Sequence, residues 1–139
     1  MLTLEHLNLV VNNIDDTLKF YQAIAPHWAI RSSGQSTWYG TPRNWVHFGD
    51  DFQFISFNDS GTGTNRNLES NNLGLSHFAF STANLAAATA RLQAAGFAIK
   101  IELREDAHRK NIYFLDPNGY EVELVQYLSD LPSERNLDA

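Results

Sequence analysis

His6-Leu7-Asn8-Leu9-Val10 and His77-Phe78-Ala79-Phe80-Ser81 are two alternating runs that each open on histidine, offset by 71 residues in a chain of 139. An offset of about half the chain signals duplication, and an internal repeat decides a fold before any single element does. Period-two alternation reads as a strand in both runs. The match continues downstream, where Asn13 and Asn84, Ile14 and Leu85, and Gln22 and Gln93 stand at the same offset. Both asparagines suit a helix N-cap, because a short side-chain carbonyl can accept from a free N–H of the first turn.

Beyond Asn13, the apolar residues Ile14, Leu18, Tyr21 and Ala25 mark one face of a helix, with Asp15 and Asp16 in the first turn and Pro26 as the stop. Beyond Asn84, Leu85, Ala88, Leu92 and Ala95 have the same period, and Gly96 supplies the stop. Short strands follow each helix. They are expected near His27 to Ser33, Trp45 to Phe48 and Phe52 to Asn58, and again near Phe97 to Leu103, Asn111 to Leu115 and Tyr120 to Tyr127. Asp116-Pro117-Asn118-Gly119 makes the last turn. The order is βαβββ, twice.

This predicts an α+β fold: two tandem βαβββ modules forming a curved mixed sheet around a shared cavity, with the helices outside. A single domain over 1–139 is expected, with module 1 at 1–58, module 2 at 73–128 and a poorly ordered tail at 129–139. The stretch between the modules, 59–72, is rich in Gly, Ser, Thr and Asn and reads as a flexible linker.

Composition narrows the function classes. The chain is 43% hydrophobic and 19% charged, which is ordinary for one compact domain. It has no cysteine, so any metal must be held by nitrogen and oxygen donors. A net charge of −6 repels phosphate backbones and anionic lipid, so nucleic acid and membrane are not expected partners. With no signal-like start and no membrane-length apolar run, a cytoplasmic protein is expected.

Equivalent strand positions in a duplicated fold can face one cavity, and His6 and His77 are such a pair. Glu123, on the last strand, can join them if its parity matches. A lone strand histidine is ordinarily structural; what sets these two apart is that core packing gives no reason for histidine to open both repeats. Two imidazoles and a carboxylate form a facial triad suited to divalent Fe, Mn, Zn or Ni, with positions left open for water or substrate.

From Leu4 to Tyr127 the chain resembles the vicinal-oxygen-chelate superfamily, which includes glyoxalase I, extradiol dioxygenases, fosfomycin-resistance enzymes and bleomycin-resistance proteins. The resemblance is carried by the paired histidines and by Ile112-Tyr113-Phe114-Leu115-Asp116-Pro117-Asn118-Gly119-Tyr120-Glu121-Val122-Glu123-Leu124, which is similar to the family's closing signature. It implies that His6, His77 and Glu123 ligate the metal and that Tyr113, ten residues before Glu123, is an active-site tyrosine touching bound substrate. Glyoxalase I adds a glutamate from its first module. Counting from Gly49 nominates Gln53 for that place, as a fourth ligand or a substrate contact, whereas counting from the strand's far end selects Phe54. A slip of one residue exchanges the faces, so both registers stay open. The segment before Tyr113 matches the lysine-serine loop of the fosfomycin enzymes poorly. His47 and His108 are candidates by type for an acid or base, as are Glu5, Glu121 and Asp51.

Two functions follow from the resemblance. One is a glyoxalase- or dioxygenase-like enzyme, a lyase, isomerase or oxidoreductase, that chelates a small substrate through adjacent oxygens on the metal. The other is a metal-free binding protein of the bleomycin-resistance type. Its pocket walls would come from Trp38, Tyr39, Trp45, His47, Phe52 and Phe54. A homodimer is expected by the same resemblance, with the site either within one chain or across the interface.

Overall fold

The computed structural model describes residues 1–138. The chain divides into two compact units, Met1–Thr64 and Asn65–Ala139, and the boundary falls inside the expected linker. The first unit contains β1 (His6–Val10), α1 (Ile14–Ile24), β2 (Ala29–Trp38), β3 (Thr41–Gly49) and β4 (Phe54–Asn58). The second contains β5 (Phe78–Ser81), α2 (Leu85–Ala94), β6 (Ile99–Glu105), β7 (Arg109–Leu115), β8 (Glu121–Tyr127) and a single turn, α3 (Pro132–Arg135). Each unit is a βαβββ module. Its four-stranded sheet is mixed, ordered β1-β4-β3-β2 in the first and β5-β8-β7-β6 in the second. The outer pairs β1–β4 and β5–β8 are parallel and the others antiparallel. The fold is α+β as expected, built on two separate open sheets rather than one continuous sheet.

Both helices begin where the asparagines place them. The Asn13 side chain accepts from the Asp16 N–H at 2.8 Å, and that of Asn84 from the Ala87 N–H at 3.1 Å. Such caps each stabilise a helix by about 1 kcal/mol. On α1 the buried face holds Thr17, Leu18, Phe20 and Tyr21, and the Tyr21 ring meets that of Phe57 on β4 at 4.9 Å. Leu9, Val46, Phe48 and Ile55 complete that core. In the second unit Leu85, Ala88 and Leu92 are buried, as are Ile112, Phe114, Val122 and Leu124 on β7 and β8. One face of each sheet is therefore committed to its helix. Strand residues of the opposite parity occupy the other, open face.

Several boundaries differ from the expected ones. The strands β2 and β3 are longer because they close as a tight hairpin, with Trp38 paired to Thr41 and positive φ at Tyr39 (50°) and Gly40 (78°). Tyrosine is an unusual residue for that conformation, so the turn carried no ordinary signal. Only Trp45–Gly49 of β3 pairs with β4, so the hairpin's outer half is a two-stranded ribbon. The interval 59–72 is tied at several points: Asp59 accepts from the Asn44 backbone and side chain at 2.8 Å, and Asn65 donates to the Gly119 carbonyl at 2.9 Å. The tail is also held. Arg135 lies over the Tyr127 ring, His108 meets Glu134 at 2.9 Å, and Arg109 donates to the Leu137 carbonyl. Ala139, the last residue of the expected tail, lies outside the described residues.

Candidate metal centre

Register fixes which residues of the two modules correspond. In the first unit His6 pairs with Phe54, Asn8 with Ser56, and Ser56 with His47 across β3–β4. In the second, Phe78 pairs with Val122, which sets the preceding residue, His77, beside Glu121, and Glu123 pairs with Tyr113 across β7–β8. His6 thus corresponds to His77, Phe54 to Glu121, Ser56 to Glu123, and His47 to Tyr113. All eight have the parity of the open faces.

By this register the first-module residue that corresponds to Glu123 is neither Gln53 nor Phe54. Ser56 is the first-module counterpart of Glu123, and it is only 5% exposed. Gln53 lies before β4 begins, in the turn closed by Asp50, and its amide stands 3.4 Å from the Asp50 carboxylate. Phe54 does face the open side, but in the place of Glu121. Counting from the glycines does not give the same register because the turn before β4 and the turn before β8 are built differently. In the first, Asp50 accepts from the Phe52 and Gln53 N–H groups; in the second, Asp116 accepts from those of Asn118 and Tyr120.

On the second unit's open face, His77 Nε2 stands 3.6 Å from Glu123 Oε2, and His77 Nδ1 stands 3.6 Å from Glu121 Oε2. Both carboxylates are mostly covered, whereas the imidazole is 38% exposed. Asn111 reaches the other oxygen of Glu123 at 3.4 Å, and Lys100 holds Glu121 at 2.5 Å. Tyr113 meets His77 edge-on, with centroids 5.4 Å apart. Burial pushes the Tyr113 hydroxyl above the usual phenol range, reinforced by the charge of Glu123 and the hydrogen bond to it. The phenol therefore keeps its proton at neutral pH and acts as a donor.

The first unit's open face is different in kind. His6 stacks on Phe54 at 4.6 Å and 8°, Phe54 on His47 at 4.5 Å, and His47 meets Trp45 at 4.8 Å. Arg31 sits over the Phe54 ring. Glu5 Oε1 lies 2.8 Å from His6 Nδ1. Burial lowers the His47 pKa, with help from the charges of His6 and Arg31. Of the expected wall residues, Trp45, His47 and Phe54 come together. Trp38 is further along the ribbon beside Arg43, Tyr39 is 99% exposed at the hairpin tip, and Phe52 is 85% exposed in the turn before β4.

Two donors on one ion, each about 2.1 Å from it, lie about 3.0 to 3.4 Å apart at octahedral or tetrahedral angles. The His77–Glu123 separation of 3.6 Å is within a few tenths of an ångström of that, so this pair fits two adjacent coordination positions. Among the described residues, no group of three or more His, Asp or Glu side chains is gathered around one point. Of the carboxylates that sequence leaves unranked, Glu5 and Glu121 stand beside the histidines whereas Asp51 is exposed in the turn before β4, and Lys100 and Asn111 carry no signal of their own in the sequence. The alternation Glu121-Val122-Glu123 carried a usable signal, since two carboxylates two apart on a strand share a face.

No helix among the described residues is long and apolar enough to cross a membrane. A search of curated proteins finds no match to the chain. In fold, the chain is similar to a glyoxylase/bleomycin resistance protein/dioxygenase domain from Frankia sp. EAN1pec, with a TM-score of 0.75, 19% identity and 99% of each chain covered. It is similar also to a glyoxalase family protein from Bacillus cereus, with a TM-score of 0.76, 14% identity, and 93% of this chain and 96% of that one covered. A third similar structure is the fosfomycin resistance protein FosX from Listeria monocytogenes complexed with Mn(II) and sulfate ion. Its TM-score is 0.67 at 23% identity, over 97% of this chain and 98% of that one. The sequence profile of one superfamily matches residues 3–124, nearly the whole of both modules, and by it the chain belongs to the Glyoxalase/Bleomycin resistance protein/Dioxygenase superfamily.

Proposed function

We propose that this chain is a metal-dependent enzyme that chelates a small substrate through adjacent oxygens, with His6, His77 and Glu123 as the protein ligands. The observation that carries this reading is the His77–Glu123 pair, 3.6 Å apart on an open face beside Tyr113. FosX, similar in fold, was crystallised with Mn(II). When bound, a divalent ion (Fe, Mn, Zn or Ni) supplies Lewis acidity that stabilises negative charge developing on substrate oxygens, an effect worth several kcal/mol.

The chain's own residues perform the rest. His77 Nε2 and Glu123 Oε2 stand 3.6 Å apart as a donor pair, and Asn111 steadies the other oxygen of Glu123. Tyr113 keeps its proton, and its one O–H can turn from Glu123 to donate a hydrogen bond to a substrate oxygen as charge builds there. Glu121 is engaged by Lys100 and faces the rear nitrogen of His77, so it orients rather than removes a proton. A glyoxalase-type isomerisation and a dioxygenase reaction share the loss of a proton beside chelated oxygens; this arrangement would stabilise the anion left on those oxygens, with solvent water taking the proton. By family likeness the reading includes a homodimer, which sedimentation velocity tests directly.

Metal analysis of wild type beside His77→Ala tests the central claim. Wild type is expected to carry close to one ion per chain and the variant almost none, with unchanged circular dichroism. Equal metal in both removes the reading. The row Trp45–His47–Phe54 favours one alternative, a metal-free protein that binds a flat ligand on the first unit's open face. Ligand binding that survives chelators and His77→Ala, but not Phe54→Ala, would establish it.

A further inference from the structure

A bulge in β2 sets a cation on the first unit's open face that no ion pair uses. Ile30 pairs with Phe48 and Ser32 with His47, so Arg31 and Ser32 together stand against one residue of β3. Both reach the open face: the Arg31 guanidinium lies 4.6 Å over the Phe54 ring, and Ser32 Oγ is 3.2 Å from His47 Nδ1. Arg31 is exposed, and among the described residues no carboxylate or carbonyl engages its guanidinium. Asp50 feels its charge, but the Asp50 oxygens are turned to Phe52 and Gln53, while Glu5 lies against His6. Contact with a ring leaves the guanidinium's N–H donors without an acceptor.

The rings around it add to the positive field. His6 and Phe54 are register partners on adjacent strands, and their centroid spacing of 4.6 Å at 8° is close to the spacing of the strands themselves, about 4.8 Å. The two rings therefore stand upright on the sheet, side by side, with faces turned to each other and edges outward. His47 extends the row, 4.5 Å from Phe54. An aromatic ring is negative on its face and positive at its edge. Upturned edges beside a guanidinium make an electropositive patch on a chain whose net charge is −6.

We propose that this patch binds a carboxylate of the ligand, with Arg31 as the residue that selects for it and the Ser32 hydroxyl beside it. The planar fork of a guanidinium matches a carboxylate through two parallel hydrogen bonds. A single guanidinium balances one negative charge, which favours a carboxylate over a phosphate dianion. The inference rests on the open face being a ligand site, but it requires no metal.

The test uses the full chain, treated with a chelator so that no ion can hold the carboxylate. Benzoate and benzamide, planar molecules of nearly one shape that differ in charge, are titrated into 15N-labelled protein and followed at the Arg31 Nε–H and the Ser32 amide. Benzoate is expected to move both signals saturably, and benzamide to leave them in place at the same concentrations. Arg31→Gln should weaken benzoate about tenfold or more, and Arg31→Lys, which keeps the charge but not the fork, should weaken it less. Equal responses to the two compounds, no response to either, or an unchanged benzoate affinity in Arg31→Gln overturns the proposal. Benzoate binding as expected in a protein whose metal content is the same with and without His77→Ala would uphold it and remove the metal-ligand reading alone. Metal lost with His77→Ala, in a protein that binds benzoate no better than benzamide, would remove this inference alone.

Discussion

At the scale of single residues, the open faces show that duplication preserved the histidines and little else. Glu121 and Glu123 stand where Phe54 and Ser56 stand in the first module, so one module sets two carboxylates beside its imidazole and the other sets His6 and His47 in an aromatic row. Asp50 illustrates how a residue outside the site supports it. Its carboxylate accepts from the Phe52 and Gln53 N–H groups, which hold it below the usual carboxylate range and close the turn that delivers Phe54 to His6. A carboxylate depressed in the folded state stabilises above its unfolded pKa, near 3.8, and that contribution disappears as pH falls through the lower folded value. Asp50→Ala is therefore expected to lower the urea midpoint at pH 7, with the gap to wild type narrowing well below pH 3.8. A gap of constant size across that range would show that the carboxylate charge plays no part.

Among the elements, what was legible in sequence and what was not divide along a physical line. The helices were legible because Asn13 and Asn84 are local devices whose hydrogen bonds stay within four residues, and because 3.6-residue periodicity survives in Leu18 and Tyr21 or Ala88 and Leu92. The hairpin was not, since Tyr39 at φ 50° is no usual turn former, and neither was the register of β4, which depends on a turn geometry that no count from Gly49 contains. Two predictions follow at this scale. Tyr39→Asn relieves a left-handed residue and is expected to stabilise the protein by about 0.5 to 1 kcal/mol in urea unfolding. Gly49→Ala should cost about 3 kcal/mol or more, because an added Cβ would meet the Gln53 carbonyl oxygen at 2.0 Å and the Phe54 Cα at 2.5 Å, both backbone atoms that cannot step aside. A Gly49→Ala protein as stable as wild type would mean that the β3–β4 turn relaxes freely, and the placement of Phe54 against His6 would lose its rigid support.

For the whole molecule, each unit has its own sheet, helix and core, while the proposed ligand set draws on both, with His6 in one and His77 and Glu123 in the other. A ligand bound only by the folded protein stabilises it by RT ln(1 + [L]/Kd), about 2.7 kcal/mol at one hundred times Kd. In a chain of this size that raises the melting temperature by several degrees. Adding Mn(II) or Zn(II) to chelator-stripped protein is thus expected to raise Tm in proportion to the logarithm of metal concentration. His6→Ala and His77→Ala should each abolish the rise, although they lie in different units. A chance site of two donors on the second unit would behave otherwise, losing the rise with His77→Ala and keeping it with His6→Ala, and that result would strike His6 from the ligand set. The duplicated histidines then matter as a pair only if removing either one has the same consequence, which two melting curves per variant decide.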